Sequence, residues 1–325
     1  MLGAQTKSLN MNVFSKEHEL ENSYKNVIVP FWDSQMSFGS FQGVADVKIA
    51  YSFVKHSKPV GSIVISTGRI ESMLKYKEVV FDLYQAGYSV FIHDHRGQGL
   101  SGRMLGNKHL GYVTDFSDYV ADFKTFIDKV VTQHSEYQPN LLCHSMGGAI
   151  GAMTIMRYPN LFKKVAFSAP MFGILPVLPR WLSRTLLSLH KVFCPEPAFF
   201  WGQKNYESKP FDRNELTHSQ IRYQIFRNEY HDQPDIQLGG VTGSWLKAAI
   251  AAMDDIENEA SDFPIPSLVI QAGGDTVVDN KRQARVANKL ANCRFMIIKK
   301  AKHELMEEQD IFRDRAMNAI LDFYK

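Results

Sequence analysis

Residues 140–158 read NLLCHSMGGAIGAMTIMRY. Asn140–Cys143 is a short apolar run of the kind a buried strand needs, and Met146–Tyr158 is a helix of small and apolar residues. Between them sits Cys143-His144-Ser145-Met146-Gly147-Gly148, with the serine at the apex of a sharp strand-to-helix turn. That context is a nucleophile elbow. Positions flanking the serine must be small, because strand and helix crowd together there. The tight turn points the Ser145 hydroxyl out of the sheet. The following helix sets backbone N–H groups and its positive end beneath a developing oxyanion. The usual pattern is Gly-x-Ser-x-Gly, and Cys143 stands at the first glycine position. An ordinary serine N-cap would carry the same letters, so the rest of the chain has to decide.

On either side of this stretch, strand and helix patterns alternate. Residues 37–54 carry alternation and turn residues and read as an antiparallel hairpin. Ser62–Ser66, Ser89–His93 and Lys164–Ser168 are continuous buried-strand runs; Tyr76–Ala86 and Asp115–Val131 are amphipathic helices. After a break, Pro266–Gln271, Lys281–Leu290, Arg294–Ile298 and Asp310–Tyr324 resume as strand, helix, strand, helix. This alternation predicts an α/β fold with a mostly parallel central sheet flanked by helices. The break, residues 171–254, begins with a stretch rich in Leu, Pro, Phe and Trp. It is expected to be a mostly helical cap over a core formed by residues 1–170 and 255–325.

Composition narrows the function classes. The chain has 325 residues, 45% apolar and 22% charged, with a net charge of +3. Such a balance gives no reason to expect nucleic acid, and it would not repel an anionic membrane surface. Three widely spaced cysteines support neither a disulfide framework nor a CxxC zinc site. The first 30 residues have scattered charges and no apolar secretory core, and no run of about 18 uncharged apolar residues occurs. The expectation is a cytoplasmic protein, at most peripheral to the inner face of the membrane.

A serine hydroxyl is a weak nucleophile until an oriented base takes its proton. On this fold the partners should follow in the order acid, then histidine. Asp275 comes just after the Leu268–Gln271 run and its Ala-Gly-Gly turn. His303 follows the last strand. Asp279 is a rival acid but fits better as the cap of the next helix. The oxyanion hole needs a second N–H from the loop Ser66-Thr67-Gly68-Arg69-Ile70-Glu71, where Arg69 is the natural donor beside Met146. Glu71 either orients that loop or is a solvated charge. His93-Asp94-His95 places two imidazoles on one side of a strand, but no third and fourth metal ligands follow at suitable spacing, so no metal is expected. The segment reads instead as a structural turn, with Asp94 and Arg96 paired beside the site.

The segments STGRIES, DHRGQGLSGR, CHSMGG, QAGGDTVVD and AKHELMEE, in that order, resemble the serine α/β-hydrolases of the monoacylglycerol lipase and lysophospholipase group. Within it, GRIES and DHRGQG-SGR are most similar to the L2 type of bacterial lysophospholipase. The resemblance covers roughly residues 40–325. It implies an α/β-hydrolase fold, Ser145, Asp275 and His303 as a triad, Arg69 and Met146 as oxyanion donors, and no cofactor. Cys143 and Thr67 depart from the pattern, the latter where many lipases carry histidine before Gly68. The implied reaction is acyl-ester hydrolysis of lysophospholipids, with monoacylglycerol lipase or general carboxylesterase as the alternative. A peptidase and a non-catalytic binding protein are further ones. The implied partner is a lipid or other acyl-ester substrate; no oligomeric state follows. Phe172 and Trp181, from the apolar start of the insertion, are the candidate substrate-binding side chains. The same stretch, with Arg180, Arg184 and Lys191, offers a surface for peripheral membrane contact.

Overall fold

The computed structural model describes residues 14–194 and 197–325. Most of the leader reading over residues 1–13 therefore lies outside the described residues, as does the Arg180 side chain. Eight strands form one sheet: β1 (Ser37–Gln42), β2 (Lys48–Val54), β3 (Gly61–Ser66), β4 (Tyr88–His93), β5 (Asn140–His144), β6 (Val165–Ser168), β7 (Ser267–Ala272) and β8 (Cys293–Ile298). Their spatial order is β1-β2-β4-β3-β5-β6-β7-β8. The expected hairpin forms β1 and β2, and β2 pairs antiparallel with β4; all other neighbours are parallel. The chain builds outward from β3 in one direction and then returns to build from β5 in the other. Such a switch point leaves a crevice at the carboxyl ends of β3 and β5, where α/β proteins place their ligands.

Strands β3 to β7 are buried at every position, which is why they read as continuous apolar runs rather than alternating ones. Their side chains divide between two cores. Val64 joins Phe123, Ile150 and Met253 on one face, while Ile63 and Ile65 join Val80, Leu83 and Ile320 on the other. Helical structure over Glu17–Gln35, including a π turn at Tyr24–Ile28, buries Leu20, Ile28 and Trp32. No helix was expected there, because most of the apolar residues are consecutive at positions 27–32, around a proline at position 30, and do not form a helical stripe.

The insertion holds the helices Arg180–Phe193, Gln220–Asp232 and the first part of Gly243–Glu259. The last of these runs through residue 254 and buries Trp245, Ala249, Met253 and Ile256 in the same core as Ala149 and Ile150. The break in strand–helix rhythm thus ends later than the change in packing partner. Periodicity senses the first and is blind to the second. No helix among the described residues is long and apolar enough to cross a membrane.

Candidate active site

Ser145 follows β5 directly, with φ 49° and ψ −117°, a conformation that L-residues rarely adopt. Backbone hydrogen bonds hold it there. The Ser145 N–H donates to the Ser168 carbonyl at 3.2 Å, and the Gly148 and Met171 N–H groups donate to the Ser145 carbonyl at 2.9 and 2.8 Å. The crowding expected from the sequence is present. A Cβ on Gly147 would lie 2.1 Å from the Ser66 carbonyl oxygen, so only glycine lets the helix approach β3. The departure at Cys143 has its compensation one helical turn on. A Cβ at Gly151 would fall 2.5 Å from the Cys143 sulfur, so the glycine opposite makes room for the extra atom.

The chain brings Ser145, His303 and Asp275 into one hydrogen-bonded row. His303 Nε2 lies 3.0 Å from Ser145 Oγ, and His303 Nδ1 lies 2.7 Å from Asp275 Oδ2. An ionised carboxylate only accepts, so Nδ1 carries the proton and Nε2 is left to accept from the serine hydroxyl. Burial pushes the Asp275 carboxyl up. The His303 hydrogen bond and the Val277 and Val278 N–H donors, at 2.8 and 3.2 Å, outweigh it and hold Asp275 below the usual carboxylate range. Asp279 instead caps the helix Asn280–Lys289, accepting from the Lys281 and Arg282 N–H groups.

Neither the Arg69 nor the Met146 N–H donates to another described residue; Arg69 lies in the loop after β3 and Met146 opens the helix after β5, and β3 and β5 are neighbours in the sheet. The loop carrying Arg69 is held from beneath. Glu71 is buried, not solvated; it accepts from the Gly68 N–H, from Lys75 at 2.8 Å, from Tyr76 at 2.6 Å and from His144 at 3.1 Å. Burial raises its pKa, but Lys75 and His144 prevail, and the carboxyl stays well below its usual range. Gln98 donates to the Gly68 and Glu71 carbonyls at 2.8 and 2.9 Å, which is what the DHRGQG turn contributes.

Lys75 reaches across to Glu304 at 2.5 Å, the residue after His303. The two turns that carry Arg69 and His303 are therefore tied through one ammonium. His144 Nε2 lies 3.3 Å from the His303 carbonyl while Nδ1 faces Glu71. Both acceptors lack hydrogens, so this geometry calls for an imidazolium. Burial disfavours that charge, yet Glu71 raises the His144 pKa above its ordinary value. Lys75, Tyr76, Gln98, His144 and Glu304 carried no reading as site residues in the sequence, because the partners that define them are distant in the chain. Only their presence inside quoted motifs could have pointed to them.

Two expectations are corrected. Asp94 and Arg96 do not pair. Asp94 accepts from the Met73 and Leu100 N–H groups, both at 2.6 Å, and from Ser72, and its burial lifts its pKa to about 7. Arg96 faces away and pairs with Asp122 at 2.7 Å and Asp118 at 3.4 Å. Nor do Phe172 and Trp181 meet the site. Phe172 turns into the core against Phe167, ring centroids 5.3 Å apart, because the Met171 N–H ties the chain to the elbow and carries the next side chain beneath it. Trp181 is 68% exposed on the helix Arg180–Phe193. A cavity of about 500 Å³ does open onto Ser145 and His303, but its cap side is formed by residues 202–209, 214–216 and 223–240.

A model of the family described as "Serine aminopeptidase, S33" matches residues 57–310. Lysophospholipase L2 of Escherichia coli K12 is 36% identical over 307 residues, which cover 91% of this chain and 89% of that protein. The probable lysophospholipase L2 of Haemophilus influenzae is 30% identical, over 91% of this chain and 94% of its own. Among solved structures, a soluble variant of monoglyceride lipase from Saccharomyces cerevisiae shares the fold at TM-score 0.67 and 17% identity, covering 89% of this chain and 94% of that one. The chain belongs to the serine aminopeptidase S33 family of α/β-hydrolases, in the group that holds the bacterial lysophospholipases L2 and the monoacylglycerol lipases.

Proposed function

We propose that the protein hydrolyses the acyl ester of lysophospholipids, with Ser145 as nucleophile, His303 as base and Asp275 as the group that orients it. The observation that carries this reading is the Ser145–His303–Asp275 row at 3.0 and 2.7 Å, with the serine on a strained elbow. Ser145 Oγ attacks the ester carbonyl while its proton passes to His303 Nε2. The Arg69 and Met146 N–H groups receive the developing oxyanion. His303 then protonates the leaving alcohol and afterwards activates the water that releases the fatty acid from the acyl-enzyme. Asp275 stays ionised and stabilises the imidazolium. The names of the relatives in E. coli and H. influenzae support the lysophospholipid. So does a cavity of about 500 Å³ with Leu216, Phe226 and Leu238 in its wall, a size that suits one acyl chain. Purified protein is expected to release fatty acid fastest from lysophospholipids in a panel with monoacylglycerols, diacyl phospholipids and aminoacyl amides. Faster turnover of monoacylglycerols or of the amides would replace the lysophospholipid reading.

The substrate is offered at a membrane, and the surface of the insertion suits peripheral contact there. Val177, Trp181, Val192 and Phe193 are each more than 60% exposed, beside the cations Arg184 and Lys191. That is an apolar face with a charged border, as interfacial helices have. Adding anionic vesicles is expected to shift tryptophan emission to the blue in the wild type but not in Trp181→Phe. Arg184→Glu with Lys191→Glu should weaken vesicle sedimentation. Unchanged emission and sedimentation in the wild type would leave the helix as a plain cover for the cavity.

A further inference from the structure

The cavity above Ser145 holds more guanidinium charge than its carboxylates neutralise. Its acidic residues are Glu71, Glu207, Glu215 and Glu304. Lys75 occupies both Glu71 and Glu304, and Lys204 pairs with Glu207 at 2.5 Å. Glu215 lies exposed at the rim. Arg69 and Arg227 remain, and neither has a carboxylate within salt-bridge distance among the described residues. Lys209, exposed at the rim, adds a third cation without a carboxylate partner among the described residues.

Arg227 is the better built of the two arginines. Its guanidinium lies 4.8 Å from the ring centres of Tyr223 and Phe226 and 6.0 Å from that of Tyr206. Of its five N–H donors, one goes to the Tyr206 hydroxyl at 3.1 Å, and Nε is buried with no partner among the described residues. Aromatic faces hold the planar cation in place and leave its edge able to donate. The Arg69 side chain is held in a similar way, stacked 5.6 Å over Trp245 and donating to the Gly239 carbonyl at 2.9 Å. An oriented guanidinium that is short of acceptors in a half-buried cleft matches the oxygens of a phosphate diester, which it can bind through two parallel hydrogen bonds.

We propose that Arg227, in its cage of Tyr206, Tyr223 and Phe226 and assisted by Arg69, binds the phosphate of a glycerophospho head group while the ester lies over Ser145. This rests on the hydrolase reading above and deepens it. The cavity then selects a single-chain phospholipid over an uncharged monoacylglycerol by charge, not by chain fit.

The test is a ratio. kcat/KM is measured for 1-oleoyl-lysophosphatidylethanolamine and for 1-oleoylglycerol, below the concentrations at which either aggregates. In Arg227→Met the ratio of the two should fall about 10- to 100-fold, mostly through KM for the phospholipid, as expected for losing hydrogen bonds to a charged group. Arg227→Lys, which keeps the charge, should recover part of the ratio. In parallel, sn-glycerol 3-phosphate is titrated calorimetrically into the Ser145→Ala protein, with glycerol and inorganic phosphate as controls. Binding of glycerol 3-phosphate well above both controls supports the head-group site, and it does so even if the Arg227 variants fail to fold. An unmoved ratio in folded Arg227→Met overturns the proposal. So does inorganic phosphate binding as tightly as glycerol 3-phosphate, which would make the cage a general anion site. Wild-type protein that hydrolyses neither ester overturns the hydrolase reading alone, and the titration still decides the phosphate site.

Discussion

Ser145→Ala is expected to lower kcat by about 10⁴- to 10⁶-fold, with the melting temperature almost unchanged. The size follows from the mechanism. On the proposed mechanism, without Oγ there is no acyl-enzyme, and what remains is binding and the Arg69 and Met146 N–H groups. The small effect on stability follows from the elbow. Its shape is held by the Ser145 N–H and carbonyl, and among the described residues the hydroxyl's one partner is His303 Nε2. Alanine keeps the Cβ that already sits at φ 49°. A fluorophosphonate probe should label the wild type at this serine and leave the alanine variant unlabelled. Labelling at a different serine, or near-normal turnover by Ser145→Ala, would remove Ser145 from the nucleophile's role.

His303→Ala should be about as damaging, since the hydroxyl then has no base. The pH profile separates the candidates. A base in this row must be neutral at Nε2 to accept the proton, so kcat/KM is expected to fall on the acid side through a single ionisation. Asp275 does not supply that limb. Its pKa is held below the ordinary carboxylate value, so it stays ionised at neutral pH. Two other histidines lie close by and serve as controls. Burial drives His95 down to about 4, so it is uncharged at neutral pH, and it sits 3.3 Å from Ser66, not Ser145. His144 has both ring nitrogens facing acceptors and no free lone pair to take a proton. If His144→Gln or His95→Ala abolished the acid limb while His303→Ala left turnover near normal, the base would have to be reassigned.

The local parts of the fold were readable because local rules govern them. β3 to β7 announce themselves as apolar runs, since both faces of the sheet are covered. The elbow announces itself as Ser-Met-Gly-Gly because backbone crowding tolerates only small residues. Asp275 and His303 could be picked out because each follows a strand end in the required order. The misplacement of Phe172 and Trp181 has the opposite origin. Both stand in an apolar stretch of the insertion, and composition cannot say whether an aromatic ring faces a cavity, a core or solvent. Phe172 went to the core and Trp181 to the surface. The cleft drew instead on Tyr223, Phe226 and Tyr230, from a helix whose sequence looks polar.

What the sequence determined by itself, then, was the strand–helix alternation, the place of the serine at a tight turn and the order of its two partners. These depend on period, residue size and position along the chain. Tertiary structure alone decided which charges are buried together. Glu71, Lys75, His144 and Glu304 come from three separate segments and meet beneath the crevice. Arg227 comes to the same cavity from the insertion with no carboxylate partner among the described residues. A charged side chain reads as solvent-facing unless a partner is known. Desolvation makes the partner obligatory, and only the folded chain shows where that partner is supplied and where it is left for a ligand.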